Sequence, residues 1–205
     1  MAVTSLVIDI REFMHDTDAS NYRWSDTRIL RLIDQGQKDL ARRANALRSQ
    51  TSNNIAEGTK LISLPSSIVK LGHITIDDCP LPLKTSFNVC VDETSAGKPE
   101  FVVKNGDTLL LYPTSDGDYT VIVNYIKLPD TIDSLTDALE LGIECEQAIK
   151  FYTCGHLYRD DKDTQSRQMG IDELQLYATE VKLLQKESAL DYTAGTHYEI
   201  PYRRL

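Results

Sequence analysis

The histidines and cysteines are the residues of this chain best suited to catalysis or metal binding. The histidines lie at positions 15, 73, 156 and 197, and no two have the spacing of a metal-binding motif. No two cysteines form a Cys-x-x-Cys pair; they are Cys79, Cys90, Cys145 and Cys154. Cys145 and His156 share one side of a predicted helix, but about 16 Å separates them along its axis, too far for a nucleophile and its base. We therefore expect structural histidines and buried or half-buried free thiols.

Paired acids are the second set of candidates, because two carboxylates can bind a metal ion or exchange a proton. They occur at residues 77–78, 144 and 146, 160–161 and 172–173. Neighbouring residues of a strand point to opposite faces, and the helical pairs lie among polar residues, so these acids are expected to be solubilising charge. The chain also has no glycine-rich phosphate loop and no nucleophile elbow. The sequence therefore predicts a protein that is not an enzyme and uses no metal or cofactor.

The composition is that of a globular, acidic protein. The 205 residues are 41% hydrophobic and 26% charged, with a formal net charge of -9. This charge gives no general attraction for DNA or for an anionic membrane surface. No run of 18 apolar residues is present, and the N-terminus has no secretory signal pattern. We expect a protein without membrane contact that folds in the cytoplasm.

Hydrophobic periodicity predicts helices at both ends of the chain and strands between them. Apolar residues at three- and four-residue spacing predict helices over residues 4–14, 25–48, 139–159 and 164–190, with Ser25 as the N-cap of the second. Short β-branched segments between residues 59 and 128 predict a small antiparallel sheet. Its hairpin turns are predicted at Asn105–Gly106 and at Asp116–Gly117.

These elements predict an α+β fold class. We expect a helical bundle from both chain ends, a small antiparallel β domain inserted between the helices, and an extended C-terminal arm. The predicted parts are N-terminal helices over residues 1–58, the β domain over 59–128, C-terminal helices over 129–191 and the arm over 192–205.

The last predicted helix is apolar on two sides. One broad arc is suited to packing within the subunit and contains Ile171, Leu174, Tyr177, Ala178, Val181 and Leu184. A second stripe repeats every seven residues on nearly the opposite side and contains Met169, Leu176, Leu183 and Leu190. A helix with two apolar sides needs two partners. Both could belong to the same chain, but we favour a neighbouring subunit as the partner of the second stripe.

The C-terminal tail, from Tyr192 to Leu205, carries more apolar surface than an ordinary flexible terminus. Tyr198, Ile200 and Tyr202 alternate with other residues, and Arg203–Arg204 follow. The tail could fold back on its own domain. The interpretation that we favour is a strand-like arm that binds a partner, with the arginines pairing to acids there.

The order of these segments resembles the head-to-tail adaptor (connector) proteins of tailed bacteriophages. The resembling segments are residues 24–34 (WSDTRILRLID), 37–43 (QKDLARR), 98–101 (KPEF), 109–113 (LLLYP) and 119–129, followed by the tyrosine-bearing helix at 148–158 and the long last helix. The resemblance covers about residues 4 to 191, and the order and spacing of the segments carry it.

The resemblance implies a structural protein of the virion neck. Members of this family form a ring, typically of about twelve subunits, beneath the portal at the head–tail junction. The ring extends the channel through which genomic DNA passes without sequence-specific binding, and it offers a docking surface for the tail or the next connector. Assembly would take place in the host cytoplasm. C-terminal extensions of the family reach the portal, and the matching residues here are Tyr198, Ile200, Pro201, Tyr202, Arg203, Arg204 and Leu205.

Three other interpretations stay open at the level of sequence, and one of them, a DNA-packaging or regulatory DNA-binding protein, is disfavoured by the net charge of -9. Another neck or tail-completion protein, such as a stopper or a tail-tube-like connector, would share the structural role. A small cytoplasmic enzyme with a pocket in the β domain would need a set of convergent polar groups, and the sequence supplies no such set. The helix-rich ends of the chain favour the adaptor.

Overall fold

The computed structural model of the protein describes residues 2–84, 95–161 and 163–194, with side chains up to residue 189. These residues belong to two compact units. The first contains residues 2–46 and 129–194, and the second contains residues 47–128. Helices lie in the first unit and strands in the second, so the fold class is α+β, as predicted.

The first unit contains four α-helices within the described residues: α1 (Val3–Phe13), α2 (Asp26–Ala44), α3 (Glu146–Arg159) and α4 (Thr164–Ala194). Helix α3 packs against α4 and α2, α2 also contacts α4, and α1 contacts α2 and α3. Apolar residues at helical spacing drive this packing. In α1 they are Val3, Leu6, Val7 and Ile10, all buried.

Helix α2 begins where the sequence predicts and ends earlier. The Oγ atom of Ser25 accepts a hydrogen bond from the backbone N–H of Arg28 at 3.3 Å, so Ser25 is the N-cap, as predicted. At the other end, Asn45 has a left-handed backbone with φ of 52°, a conformation that asparagine tolerates better than most residues. The helix therefore ends at Ala44, and the prediction that it extends to about Arg48 was wrong.

Helix α3 also begins later than predicted. Gly142 has an extended backbone, and a 3-10 turn, Ile143–Cys145, precedes the helix. Leu139 and Leu141 are buried although they are not helical. Their apolar pattern therefore reflects the burial of an irregular segment, which a sequence pattern does not distinguish from the stripe of a helix.

A buried arginine joins α1 to the start of α2. Arg11 donates hydrogen bonds to the carboxylates of Asp16 and Asp26, each at 2.6 Å. It also donates to the carbonyl oxygen of Trp24 at 2.9 Å. Asp16 is itself buried and accepts from the backbone N–H of Arg23 at 2.8 Å. The buried charges are therefore paired, and the loop between the two helices is tied to both.

Two polar residues of α2 hold the segment that leads toward α3. The Oδ1 atom of Asp34 accepts from the backbone N–H of Ile132 at 3.1 Å. The Nε2 atom of Gln37 donates to the carbonyl oxygen of Asp130 at 2.8 Å. A segment without regular secondary structure needs such partners for its backbone groups, which explains why α2 buries polar side chains beside its apolar stripe.

The described part of the second unit has eight strands in two sheets. Their bounds are β1 (Arg48–Ile55), β2 (Leu61–Ser63), β3 (Ile68–Ile76), β4 (Cys79–Pro80), β5 (Leu83–Lys84), β6 (Phe101–Asn105), β7 (Thr108–Tyr112) and β8 (Tyr119–Lys127). The strand orders are β1-β8-β3-β4 and β2-β7-β6-β5. Apolar residues of both sheets share one core, which includes Val102, Leu109, Leu111, Val121 and Val123.

One of the two predicted hairpins is confirmed. Strands β6 and β7 pair antiparallel around Asn105–Gly106, where Gly106 has a positive φ of 57°. Residues 116–117 do not close a hairpin, because β7 pairs with β2 and β6 whereas β8 pairs with β1 and β3. The expected single antiparallel sheet is in fact two sheets, and β5 pairs with β6 in parallel. A turn motif indicates where the chain reverses, but it does not determine which strands pair.

Strand β1 was not predicted from the sequence. Its residues are mostly Ser, Thr, Gln and Asn, and asparagine is depleted in strands. Strand β8 nevertheless pairs with it from Arg48 to Ile55 without a break, because β8 supplies a long apolar partner. The second unit accordingly begins at Leu47, whereas the predicted β domain begins at residue 59.

Candidate assembly surfaces

The predicted inter-subunit stripe lies on an exposed side of α4. Met169, Leu176 and Leu183 are 42%, 46% and 47% exposed. Seven residues are nearly two turns of an α-helix, so the three side chains lie on one side of the helix. The side chain of Leu190, the fourth member, lies outside the described residues. Exposed apolar residues in a row mark a contact surface more often than isolated ones do, and their contact with a neighbouring subunit stays a prediction.

The opposite side of α4 packs against the helices of its own unit. Tyr177, Val181 and Leu184 are buried. The hydroxyl of Tyr177 donates to Oδ2 of Asp39 on α2 at 2.6 Å. Burial and then this hydrogen bond raise the pKa of Tyr177 well above its usual range, so the hydroxyl stays a donor. The contact fixes which side of α4 remains exposed.

Ile171 departs from the predicted inner arc, because it is 45% exposed. On an α-helix, Ile171 lies about 120° around the axis from Tyr177. It is therefore at the margin of the arc, beyond the surface that α3 and α2 cover. Ile171 adds to the exposed apolar area near the start of α4.

Two glycines allow α3 and α4 to approach closely. A Cβ atom added at Gly170 would lie 2.7 Å from the carbonyl oxygen of Gly155. A Cβ atom added at Gly155 would lie 2.8 Å from Cγ of Leu174. Neither position has space for a larger residue, so the spacing of the two helices depends on both glycines. The orientation of the exposed stripe depends on the same contact.

Besides Ile171, other large apolar or aromatic side chains outside the predicted stripe are exposed in the first unit, among them Tyr22. Ile8 and Phe13 of α1 are exposed, and so is Ile143 in the turn before α3. The exposure of Ile8 and Ile143 was not predicted from the sequence. Their signal was available, since Ile8 lies off the apolar stripe that contains Val3, Leu6, Val7 and Ile10.

Two of the described cysteines, Cys145 and Cys154, are buried in environments that do not favour reactivity. Burial, with a smaller effect of Glu144, raises the pKa of the Cys145 thiol to about 11. Burial raises the pKa of Cys154 to about 12. A thiol is a nucleophile only as the thiolate, so both are inert at neutral pH. Cys79 is exposed, contrary to the expectation of burial, because it begins the short edge strand β4; Cys90 lies outside the described residues.

His156 is held neutral on the inner side of α3. Burial is the main cause that lowers its pKa, and the charge of Arg159 adds to the effect. Its ring lies 4.4 Å from the ring of Tyr152, centroid to centroid. These contacts support the structural role that the sequence analysis expected for this histidine.

Within residues 2–84, 95–161 and 163–194, no three or more His, Cys, Asp or Glu side chains are grouped so that they could hold a metal ion. No helix of the described residues is long and apolar enough to cross a membrane.

The predicted portal-binding arm begins at residue 192, but α4 continues to Ala194, so residues 192–194 are helical and that boundary was wrong. The rest of the arm, residues 195–205, lies outside the described residues. This applies to all of its predicted contact residues, namely Tyr198, Ile200, Pro201, Tyr202, Arg203, Arg204 and Leu205. Their contact with a portal stays a prediction from the sequence.

A family model for the SU10 adaptor protein matches residues 1–202 of the chain, and the chain therefore belongs to the SU10 adaptor protein family. It is accordingly a bacteriophage adaptor and a structural component of the virion. A comparison with curated proteins finds no match.

Proposed function

We propose that this protein is the head-to-tail adaptor of a tailed bacteriophage, and that its copies form a ring beneath the portal. The observation that carries the proposal is the match of the SU10 adaptor family to residues 1–202. The ring would extend the DNA channel and offer the surface on which the tail or the next connector docks. Its position is the neck of the virion, and its role is assembly rather than catalysis.

The two sides of α4 support a ring. Head-to-tail contacts in a ring require two different surfaces on each subunit. Helix α4 has a side that is buried in its own unit and another that exposes Met169, Leu176 and Leu183. The exposed stripe, with Leu190 as its fourth member, would bury its apolar area against the next subunit. About 25 cal/mol is gained for each Å² of apolar surface buried in this way.

The charge of the protein suits a channel that DNA crosses. With 31 acidic and 22 basic residues, the body of the ring would not bind phosphates tightly, and tight binding would slow the passage of DNA. We place the portal contact in the arm, where Tyr198, Ile200 and Tyr202 supply apolar area and Arg203–Arg204 supply positive charge. An arm of this kind binds as an extended strand.

Native mass spectrometry of the purified chain mixed with portal complex tests the proposal. The intact chain should bind with about one copy for each portal subunit, and removal of residues 192–205 should abolish binding. A second variant replaces Tyr198 and Ile200 with Ser, which keeps the length and charge of the arm and removes apolar area. This variant should bind the portal more weakly than the intact chain, with the same stoichiometry. The portal contact would be refuted if the intact chain does not bind the portal at all.

A further inference from the structure

The outer edge of β1 is open among the described residues. β1 lies at the end of its sheet and pairs with β8 alone. The backbone N–H of Lys127 donates to the carbonyl oxygen of Leu47 at 3.0 Å, which determines the alternation of the antiparallel ladder. Every second residue from Leu47 therefore bonds to β8. The backbone N–H and C=O groups of Gln50, Ser52 and Asn54 consequently point away from the sheet.

This edge lacks most of the features that usually protect a strand from pairing, and its one charged residue, Arg48, lies at its first position. Proteins block exposed edges with proline, inward charges, lysine or a bulge. Residues 48–55 contain no proline, glycine or lysine, and the register with β8 has no shift. The opposite edge strand, β4, has two residues, one of them Pro80, and the neighbouring β3 has two register shifts and carries Lys70. β1 is therefore the edge of this sheet that is ready to accept another strand.

An acidic groove lies at the C-terminal end of β1. It has a volume of about 390 Å³, and Asn54, Ile55, Asp77, Asp118 and Tyr119 line it. Asp77 accepts a hydrogen bond from the backbone N–H of Thr120 at 3.0 Å and lies 3.7 Å from Nζ of Lys98. Asp118 is exposed. The groove therefore has a negative charge beyond what Lys98 balances.

The C-terminal sequence of the chain fits this edge and this groove. Tyr198, Ile200 and Tyr202 have the two-residue period of a strand. Pro201 cannot donate a hydrogen bond, so it is compatible with an added strand only when its nitrogen points away from β1. That condition turns the backbone groups of Ile200 and Tyr202 toward β1. Arg203–Arg204 would follow immediately.

We propose that residues 197–205 of a second copy add to the open edge of β1 as a parallel strand, with Arg203 and Arg204 in the acidic groove. The charges determine the direction, because only a parallel strand brings the two arginines to the C-terminal end of β1, where Asp77 and Asp118 line the groove. In the parallel register, Ile200 lies opposite Thr51, and Arg204 lies opposite Ile55. Tyr198, Ile200 and Tyr202 then share the face on which β8 buries Val121 and Val123.

The inference rests on the proposed function, in which the arm is a binding strand, and it gives that arm an acceptor on the adaptor itself. The portal and the β1 edge of a second copy are then alternative acceptors for one arm. Subunits that associate in this way before they bind the portal would keep the apolar side chains of the arm out of contact with water.

Hydrogen–deuterium exchange of the full chain at low and high protein concentration tests the inference. The amides of Gln50, Ser52 and Asn54 should exchange on the order of tenfold more slowly at high concentration. Ser52→Pro should abolish this protection, because proline removes an outward N–H while the bonds from β1 to β8 remain. The combined change Arg203→Glu and Arg204→Glu should also abolish it.

The matched control changes the same amount of charge elsewhere. Lys182 and Lys186 are exposed on α4, and their combined replacement by Glu should leave the protection of β1 intact. Absence of concentration-dependent protection in the unchanged chain would overturn the inference. It would also be overturned if protection persists in the Arg203→Glu, Arg204→Glu chain, since another element would then cover the edge.

Portal binding separates this inference from the proposed function. The Ser52→Pro chain has an intact arm and should bind the portal as the unchanged chain does. If β1 is protected in the unchanged chain but no portal binds, the proposed portal contact fails while the strand addition stands. If the portal binds but β1 shows no protection, the strand addition fails and the portal contact stands.

Discussion

Arg11 shows how one residue decides whether the first two helices stay together. Its guanidinium contacts two carboxylates, a carbonyl oxygen and the ring of Tyr22, whose centroid lies 3.5 Å away. Each of these partners comes from the loop between α1 and α2 or from the first turn of α2. A buried charge of this kind contributes little when it is paired, but its loss leaves the partner uncompensated.

We expect Arg11→Ala to lower the free energy of unfolding by about 3–5 kcal/mol, because Asp16 would remain buried without its cation. Urea denaturation followed by circular dichroism measures this value. Arg31→Ala removes an exposed arginine of α2 and should change the free energy of unfolding by less than about 0.5 kcal/mol. Equal effects of the two substitutions would show that the buried ion pairs do not hold the loop.

His156 gives the protein a pH dependence of stability. Its pKa is lower in the folded chain than in the unfolded chain, mainly through burial, so the unfolded state binds the proton more readily. The contribution of His156 to the free energy of unfolding is therefore fully present above the unfolded pKa of about 6.5, and it is lost as the pH falls below that value.

Between pH 7.5 and pH 5.5, the unchanged chain should lose more stability than a His156→Gln chain, because glutamine does not titrate. The measurement is the free energy of unfolding in urea at both pH values. His73→Gln is the matched control, since His73 is exposed and its replacement should leave the decrease as large as in the unchanged chain. A decrease of the same size in the His156→Gln chain would assign the pH dependence to other groups.

At the scale of elements, the contact between α3 and α4 determines the orientation of the exposed stripe. Gly170, at this contact, differs from Gly36 of α2 in what surrounds it. A Cβ at Gly170 meets the backbone of α3, whereas a Cβ at Gly36 would lie 2.9 Å from the ring of Tyr152. A ring can shift by a few tenths of an ångström, but a helix backbone cannot do so alone.

Gly170→Ala should therefore lower the free energy of unfolding by about 1–3 kcal/mol through overpacking, even though alanine is the better helix former. Gly36→Ala should lower the free energy of unfolding by less than Gly170→Ala does, because the side chain of Tyr152 can move. Thermal and urea denaturation of both variants provide the comparison. A stabilised Gly170→Ala chain would mean that the helices separate at little cost.

At the scale of the whole molecule, the exposed stripe of α4 is expected to act only in assembly. We expect the combined replacement of Met169, Leu176 and Leu183 by Gln to change the free energy of unfolding by no more than about 1 kcal/mol, because exposed positions contribute little to stability. The same chain should fail to form a ring on the portal. Native mass spectrometry with portal complex measures ring formation.

The control for the stripe moves the changes by one position along the helix. Gln168, Gln175 and Lys182 each precede a stripe residue and are exposed. Their combined replacement by Ala should leave assembly intact. Rings of normal stoichiometry in the stripe variant would contradict an inter-subunit role for these residues, and the second apolar side of α4 would need another explanation.

The sequence alone determined the features that depend on neighbouring residues. The N-cap at Ser25, the glycine turn at Gly106 and the two apolar sides of α4 follow from bonds or spacings within a few residues. The order of segments also led to the adaptor family. The exposed Met169, Leu176 and Leu183 could therefore be named before the structure was known, although not what they contact.

Only the tertiary structure decided the features that depend on distant partners. Strand β1 exists because β8 pairs with it, although its own residues favour strands weakly. The bonds from Arg11 to Asp16 and Asp26 and the contact between Gly155 and Gly170 have no local signature. The division of β7 and β8 between two sheets is of the same kind, because the choice of partner is made by packing across the whole core and not by the turn that joins two strands.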